Sequence, residues 1–139
     1  MTQEEKELLL LKDLCSRLPY RVKCDIGDNK SYTLNSISDD YDDGTLLRFK
    51  EQKNGLNVEV YLSECKPYLF PLSSMTEDQC YELSSIRSSF QDCWKYIKTP
   101  IPLSICNFEQ IDFFNKNHLD YNGLIEKGLA IDATSLNIY

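Results

Sequence analysis

One histidine, His118, stands between two aspartates, Asp112 and Asp120, and this is the nearest the chain comes to an acid–base site. A Ser–His or Cys–His hydrolase needs an imidazole to take the nucleophile's proton and a third group to orient that imidazole. Only the base can be identified here, and no G-x-S-x-G elbow supplies the nucleophile. His118 and Asp120 are the catalytic candidates; the competing role for His118 is at a helix end, against the last carbonyls.

The run Asp39-Asp40-Tyr41-Asp42-Asp43-Gly44 has the composition of a calcium loop. With Gly44 at the sixth loop position, an EF-hand would have Tyr41 at the third and Lys50 where the bidentate Glu belongs, so that reading fails. Asp39, Asp42 and Asp43 remain candidates for a looser divalent site, against a solvated acidic turn between strands. Of the six cysteines, none forms a C-x-x-C pair, the short spacing that structural zinc usually shows. Cys15, Cys24, Cys80 and Cys106 fall on apolar faces and read as small buried hydrophobes, whereas Cys65 and Cys93 are candidates for an exposed thiol. Ser84, Ser85, Ser88 and Ser89 make two i,i+4 pairs of small side chains on one helix, a surface that a partner could approach closely. No Walker A loop, G-x-G-x-x-G or H-E-x-x-H is present, and the sequence calls for no cofactor.

At 139 residues the chain suits one domain, 1–139, able to bury about two-thirds of its unfolded surface. A hydrophobic content of 42% places it among folding rather than disordered sequences. The net charge of −7 argues against general nucleic-acid or anionic-membrane binding, which needs cations facing phosphate. The acidic start lacks the positive charge of a signal peptide, and no run approaches a membrane span. The expectation is a cytoplasmic protein with reduced cysteines.

The elements that would position these residues follow an α+β order. Thr2-Gln3-Glu4-Glu5 is a capping box opening a helix with Leu8, Leu11, Cys15 and Leu18 on one face, widened by Leu14 and ended by Pro19. Period-two alternation from Tyr20 predicts a four-stranded antiparallel sheet of two hairpins, near 20–26, 31–37, 45–51 and 56–62. A three-residue loop at Asp28-Asn29-Lys30 sets Cys24 opposite Leu34; a type I′ turn at Asn54-Gly55 sets Phe49 opposite Val60. A second capping box, Thr76-Glu77-Asp78-Gln79, stapled by Met75 and Cys80, begins a helix through Leu83, Ile86, Phe90 and Trp94. A third begins at Asn107 and buries Phe108, Ile111 and Phe114. Gly123 and Gly128 bracket a short helical turn, and Leu129-Ala130-Ile131 fits a terminal extended segment, giving two or three C-terminal helices.

Four stretches also carry a likeness: Leu10–Cys15 on to Leu18-Pro19-Tyr20, Lys66–Gln79, Asn117-His118 through Asp120–Ile125, and Gly128-Leu129-Ala130. Through them the chain resembles small uncharacterised proteins of gut Bacteroides genomes and their phages. That resemblance implies a setting, a bacterial or phage cytoplasm and a mobile element, and no activity. It also implies Arg where this chain has Asn122. The leading expectation is a non-enzymatic protein-interaction or accessory factor. Its competitors are a small hydrolase using His118 and an acidic inhibitor imitating nucleic acid through the Asp39–Asp43 run.

Overall fold

The computed structural model describes residues 1–40, 44–51, 54–86 and 108–139. Thr2 opens the first helix: its Oγ1 accepts from the Glu5 N–H at 3.1 Å, and the Glu5 carboxylate accepts from the Thr2 N–H at 2.7 Å. Two otherwise orphaned donors are thereby satisfied. Helix α1 spans Gln3–Arg17 and passes into a 3₁₀ turn, Leu18–Tyr20, that carries Pro19. Its buried face is not the expected stripe. Leu10, Asp13, Leu14 and Arg17 are buried, whereas Leu8 is 52% exposed and Cys15 is exposed. Asp13 and Arg17 pair across one helical turn and go inside together, which rotates the helix away from the face that apolar residues alone would choose.

Among the described residues the sheet has six strands: β1 Lys23–Asp25, β2 Tyr32–Asp40, β3 Gly44–Glu51, β4 Asn57–Tyr61, β5 Lys66–Leu69 and β6 Ile131–Asp132, in spatial order β4-β3-β2-β1-β5-β6. Neighbours are antiparallel except β5 and β6, which are parallel. The expected four-stranded antiparallel sheet is therefore corrected to a mixed sheet of six. The first expected strand, 20–26, shrinks to Lys23–Asp25, because Arg21 adopts a left-handed conformation after the 3₁₀ turn. The unforeseen strand is β5. Pro67, Tyr68 and Leu69 are all buried, so β5 reads as an unbroken apolar run rather than an alternation.

Both expected hairpin registers are displaced by two residues. Cys24 faces Tyr32 rather than Leu34, and Phe49 faces Val58 rather than Val60. In the second hairpin the two-residue turn gives way to a longer loop in which Gly55, at φ +65°, donates to the Glu51 carbonyl at 3.0 Å. A shift of two preserves the side-chain face. Cys24, Leu34, Leu47 and Phe49 accordingly lie on the core side under α1, joined by Val22, Leu69, Leu124 and Ala130.

Helix α2, Glu77–Ile86, starts at the expected capping box, with Gln79 N–H on Thr76 Oγ1 at 3.2 Å and Thr76 N–H on Gln79 Oε1 at 3.0 Å. The continuation through Phe90 and Trp94 lies outside the described residues, as does the cap at Asn107. Helix α3 spans Phe108–Lys116. Phe114 is buried as expected, but Phe108 is 86% exposed, and Phe113 joins Phe114 instead. With Leu72, Met75, Leu83, Leu119 and Tyr121 these phenylalanines form a second apolar cluster.

Candidate functional site

The sequence singled out the end of α3, and the structure turns it into a joint. Leu119 N–H donates to the Phe114 carbonyl at 2.9 Å and His118 N–H to the Asn115 carbonyl at 3.2 Å. These are the two bonds of a Schellman motif, with His118 at the left-handed position, φ +56°. The chain then reaches Phe70: its N–H donates to the His118 carbonyl and its carbonyl accepts from Asp120 N–H, both at 2.8 Å. His118 thus sits at a helix end through its backbone, while its ring stacks on Tyr139 at 3.8 Å between centroids. Burial, with the positive charges of Arg17 and Lys23, lowers the imidazole's pKa to about 4.

The two aspartates near His118 are engaged elsewhere. Asp112 accepts from the Tyr20 hydroxyl, and Asp120 accepts from Leu124 N–H at 2.8 Å and Ile125 N–H at 2.9 Å. Burial raises the pKa of Asp120 against the lowering effect of those two amides. His118 Nδ1 has no hydrogen-bond partner among the described residues. His118 and Asp120 are neighbours in sequence that the fold does not join as an acid–base pair.

Between the two apolar clusters lies a polar network that sequence reasoning missed. Arg17, fully buried, donates through Nε and Nη2 to both oxygens of Asp13 at 2.7 and 3.1 Å and through Nη2 to the Leu119 carbonyl at 2.7 Å. Asn122 donates to Asp13 at 2.8 Å. The guanidinium also lies 5.1 Å from the Tyr121 ring centre, and the Tyr121 hydroxyl donates to Asn115 at 2.8 Å. An i,i+4 Asp–Arg pair among leucines was the available signal, since long charged side chains go inside only when paired. Asn122, where the likeness implied Arg, here ties the loop that follows Asp120 to α1.

The remaining candidates are placed as follows. Asp39 is exposed on β2 opposite Thr45, and Asp42 and Asp43 lie outside the described residues. Among the described residues no group of three His, Cys, Asp or Glu is arranged to hold a metal. Ser85 turns its hydroxyl onto the Glu82 carbonyl at 2.7 Å. Ser84 lies on α2, whereas Ser88 and Ser89 lie outside the described residues. Cys65 is buried rather than exposed, and Cys15 exposed rather than buried; Cys24 is buried and Cys80 half-buried, with Cys93 and Cys106 outside the described residues. Burial, reinforced by the neighbouring Cys65 thiol, raises the Cys24 pKa.

The described residues also form a cleft of about 720 Å³, away from His118. Leu18 and Pro19 wall it on the side of the 3₁₀ turn, and Arg21, Lys23, Thr33, Asn35, Lys50 and Glu51 bring polar groups to it. Lys23, Thr33 and Lys50 stand in one cross-strand row, because Lys23 pairs with Thr33 and Thr33 with Lys50. They alternate with Cys24, Leu34 and Phe49 of the core, so the row belongs to the outer face. A bulge between Leu34 and Ser36 leaves Asn35 unpaired and exposed. Among the described residues none of Arg21, Lys23 and Lys50 is ion-paired; the Lys23 ammonium donates to the Ile138 carbonyl at 2.8 Å. The cleft can hold negative charge.

No described helix is long and apolar enough to cross a membrane. Compared with models of protein families, with curated proteins and with solved structures, the chain matches none of them.

Proposed function

We propose that this chain is a non-enzymatic protein-interaction domain, an accessory factor of a phage or mobile element working in the cytoplasm of a gut Bacteroides host. The setting rests on the family likeness carried by Lys66–Gln79 and Asp120–Ile125. The binding role rests on one observation: an acidic protein of net charge −7 gathers Arg21, Lys23 and Lys50 around one cleft in which Glu51 is the single carboxylate among the described lining residues. Arg21 and Lys50, not ion-paired among the described residues, are available to a ligand, and Lys23 adds charge although its ammonium is held by the Ile138 carbonyl and the Tyr139 ring, whereas His118, Asp112 and Asp120 are committed to stacking and hydrogen bonds that hold the fold. A protein partner fits the whole-molecule charge better than nucleic acid, which would meet repulsion outside the cleft.

The test is affinity capture from Bacteroides lysate with the wild-type chain and with Arg21→Glu/Lys50→Glu. One stoichiometric partner, retained by wild type and by His118→Ala but lost by the double variant, is expected. A partner held equally by the double variant would overturn the assignment of the cleft, and loss of the partner in His118→Ala alone would return weight to the His118 site.

A further inference from the structure

We infer that the cleft takes an extended acidic segment of a partner protein, with carboxylates meeting Arg21 and Lys50 and an apolar side chain between them resting on Leu18 and Pro19. This rests on the binding role proposed above and adds the chemistry of the occupant. Neighbouring strands lie about 4.8 Å apart, so Lys23 and Lys50, two strands apart in one row, are separated by about 10 Å at their Cα atoms. Arg21 adds a third cation two residues before Lys23. A single small anion can neutralise one end of such an array. Alternate side chains of an extended peptide project from one face about 7 Å apart, so two or three carboxylates can share the array, with Thr33 and Asn35 supplying hydrogen bonds.

The backbone at Arg21 carries the second observation. Its φ of 56° and ψ of 51° are left-handed, a conformation that costs a non-glycine residue about 1–2 kcal/mol. Here it also closes the 3₁₀ turn, the Arg21 N–H donating to the Leu18 carbonyl at 3.4 Å, and strain of this kind clusters at ligand-binding sites. Arg21 lines the cleft, and its guanidinium is a fork suited to carboxylate. Nucleic acid offers similar charge spacing, but its phosphates continue beyond the cleft onto a surface of net negative charge.

Fluorescence anisotropy tests the occupant with three labelled probes: a short peptide alternating glutamate and leucine, its glutamine counterpart, and an oligothymidylate of equal length. The glutamate peptide is expected to bind, to weaken at least about tenfold in Arg21→Glu/Lys50→Glu, and to weaken as salt is raised. Lys50→Glu alone, on β3 rather than in the strained turn, is expected to weaken it in the same direction with an unchanged circular dichroism spectrum. Equal binding of the glutamine peptide, tighter binding of the oligonucleotide, or indifference to both variants would overturn the inference. If the glutamate peptide fails while the captured partner still depends on Arg21 and Lys50, the acidic-segment class falls and the binding role stands. If capture is also indifferent, both fall.

Discussion

At the scale of single residues, the charged side chains that matter most to the fold are those the solvent does not see. Arg17 and Asp13 are both fully buried and bonded to each other, and Asp13 also accepts from Asn122. Removing one member strands the other in a low-dielectric interior, which costs about 3–5 kcal/mol. Asp13→Ala is therefore expected to lower the urea-unfolding free energy by that amount. Asp13→Leu combined with Arg17→Met is expected to cost less, because no lone charge is left behind. His118 supplies a second residue-scale prediction. Its folded-state pKa of about 4 lies below the ordinary 6.5, so the unfolded chain takes up the proton first. The full stability is present above pH 6.5 and falls as pH drops from 6.5 towards 4. In His118→Phe, which keeps an aromatic ring against Tyr139, this contribution is absent. Urea midpoints of the two proteins should converge or cross as pH falls through that window; parallel profiles would rule out the imidazole as their source.

At the scale of elements, the sequence was most legible where structure is local. Both capping boxes, at Thr2 and Thr76, form as expected because each needs only four consecutive residues. The faces of β1 to β4 were also readable, since alternation survives the two-residue displacement of both hairpins. The registers were not, because loop length decides them: the longer loop closed by Gly55 competes with the two-residue turn that Asn54-Gly55 suggests. Strand β5 was missed because burial of Pro67, Tyr68 and Leu69 removes alternation, and a proline counts against a strand. The 3₁₀ turn before β1 yields a prediction at this scale. Arg21→Gly should relieve the left-handed strain, partly offset by greater chain entropy when unfolded, and raise stability by about 0.5–1 kcal/mol. The same change is expected to weaken the glutamate peptide. A variant both less stable and fully competent to bind would show that Arg21 serves the turn rather than the cleft.

At the scale of the whole molecule, the C-terminal quarter holds the two halves together. The segment after α3 bridges to Phe70, β6 adds in parallel to β5, and the Tyr139 hydroxyl donates to the Tyr68 carbonyl at 2.8 Å while accepting from Lys23 N–H at 2.9 Å. Residues distant in sequence thereby fix the start of β1 and the position of Lys23. The overall charge of −7 and the cationic cleft are compatible because the charge is unevenly distributed: the excess acid lies outside the groove, where it discourages polyanions at large while leaving the groove attractive to a short acidic segment.

By itself the sequence determined what depends on neighbours along the chain: the α+β order, the helix starts, the alternation that separates sheet faces, and the acidic balance. Only the tertiary structure decided which charged residues go inside, that β5 and β6 extend the sheet, and that His118 stacks rather than pairs with Asp120. It also decided that Arg21, Lys23 and Lys50 share a cleft. Those outcomes depend on residues far apart in sequence meeting through strand pairing and packing, and the free energy of a buried ion pair or a cross-strand row belongs to both partners, so no local pattern records it.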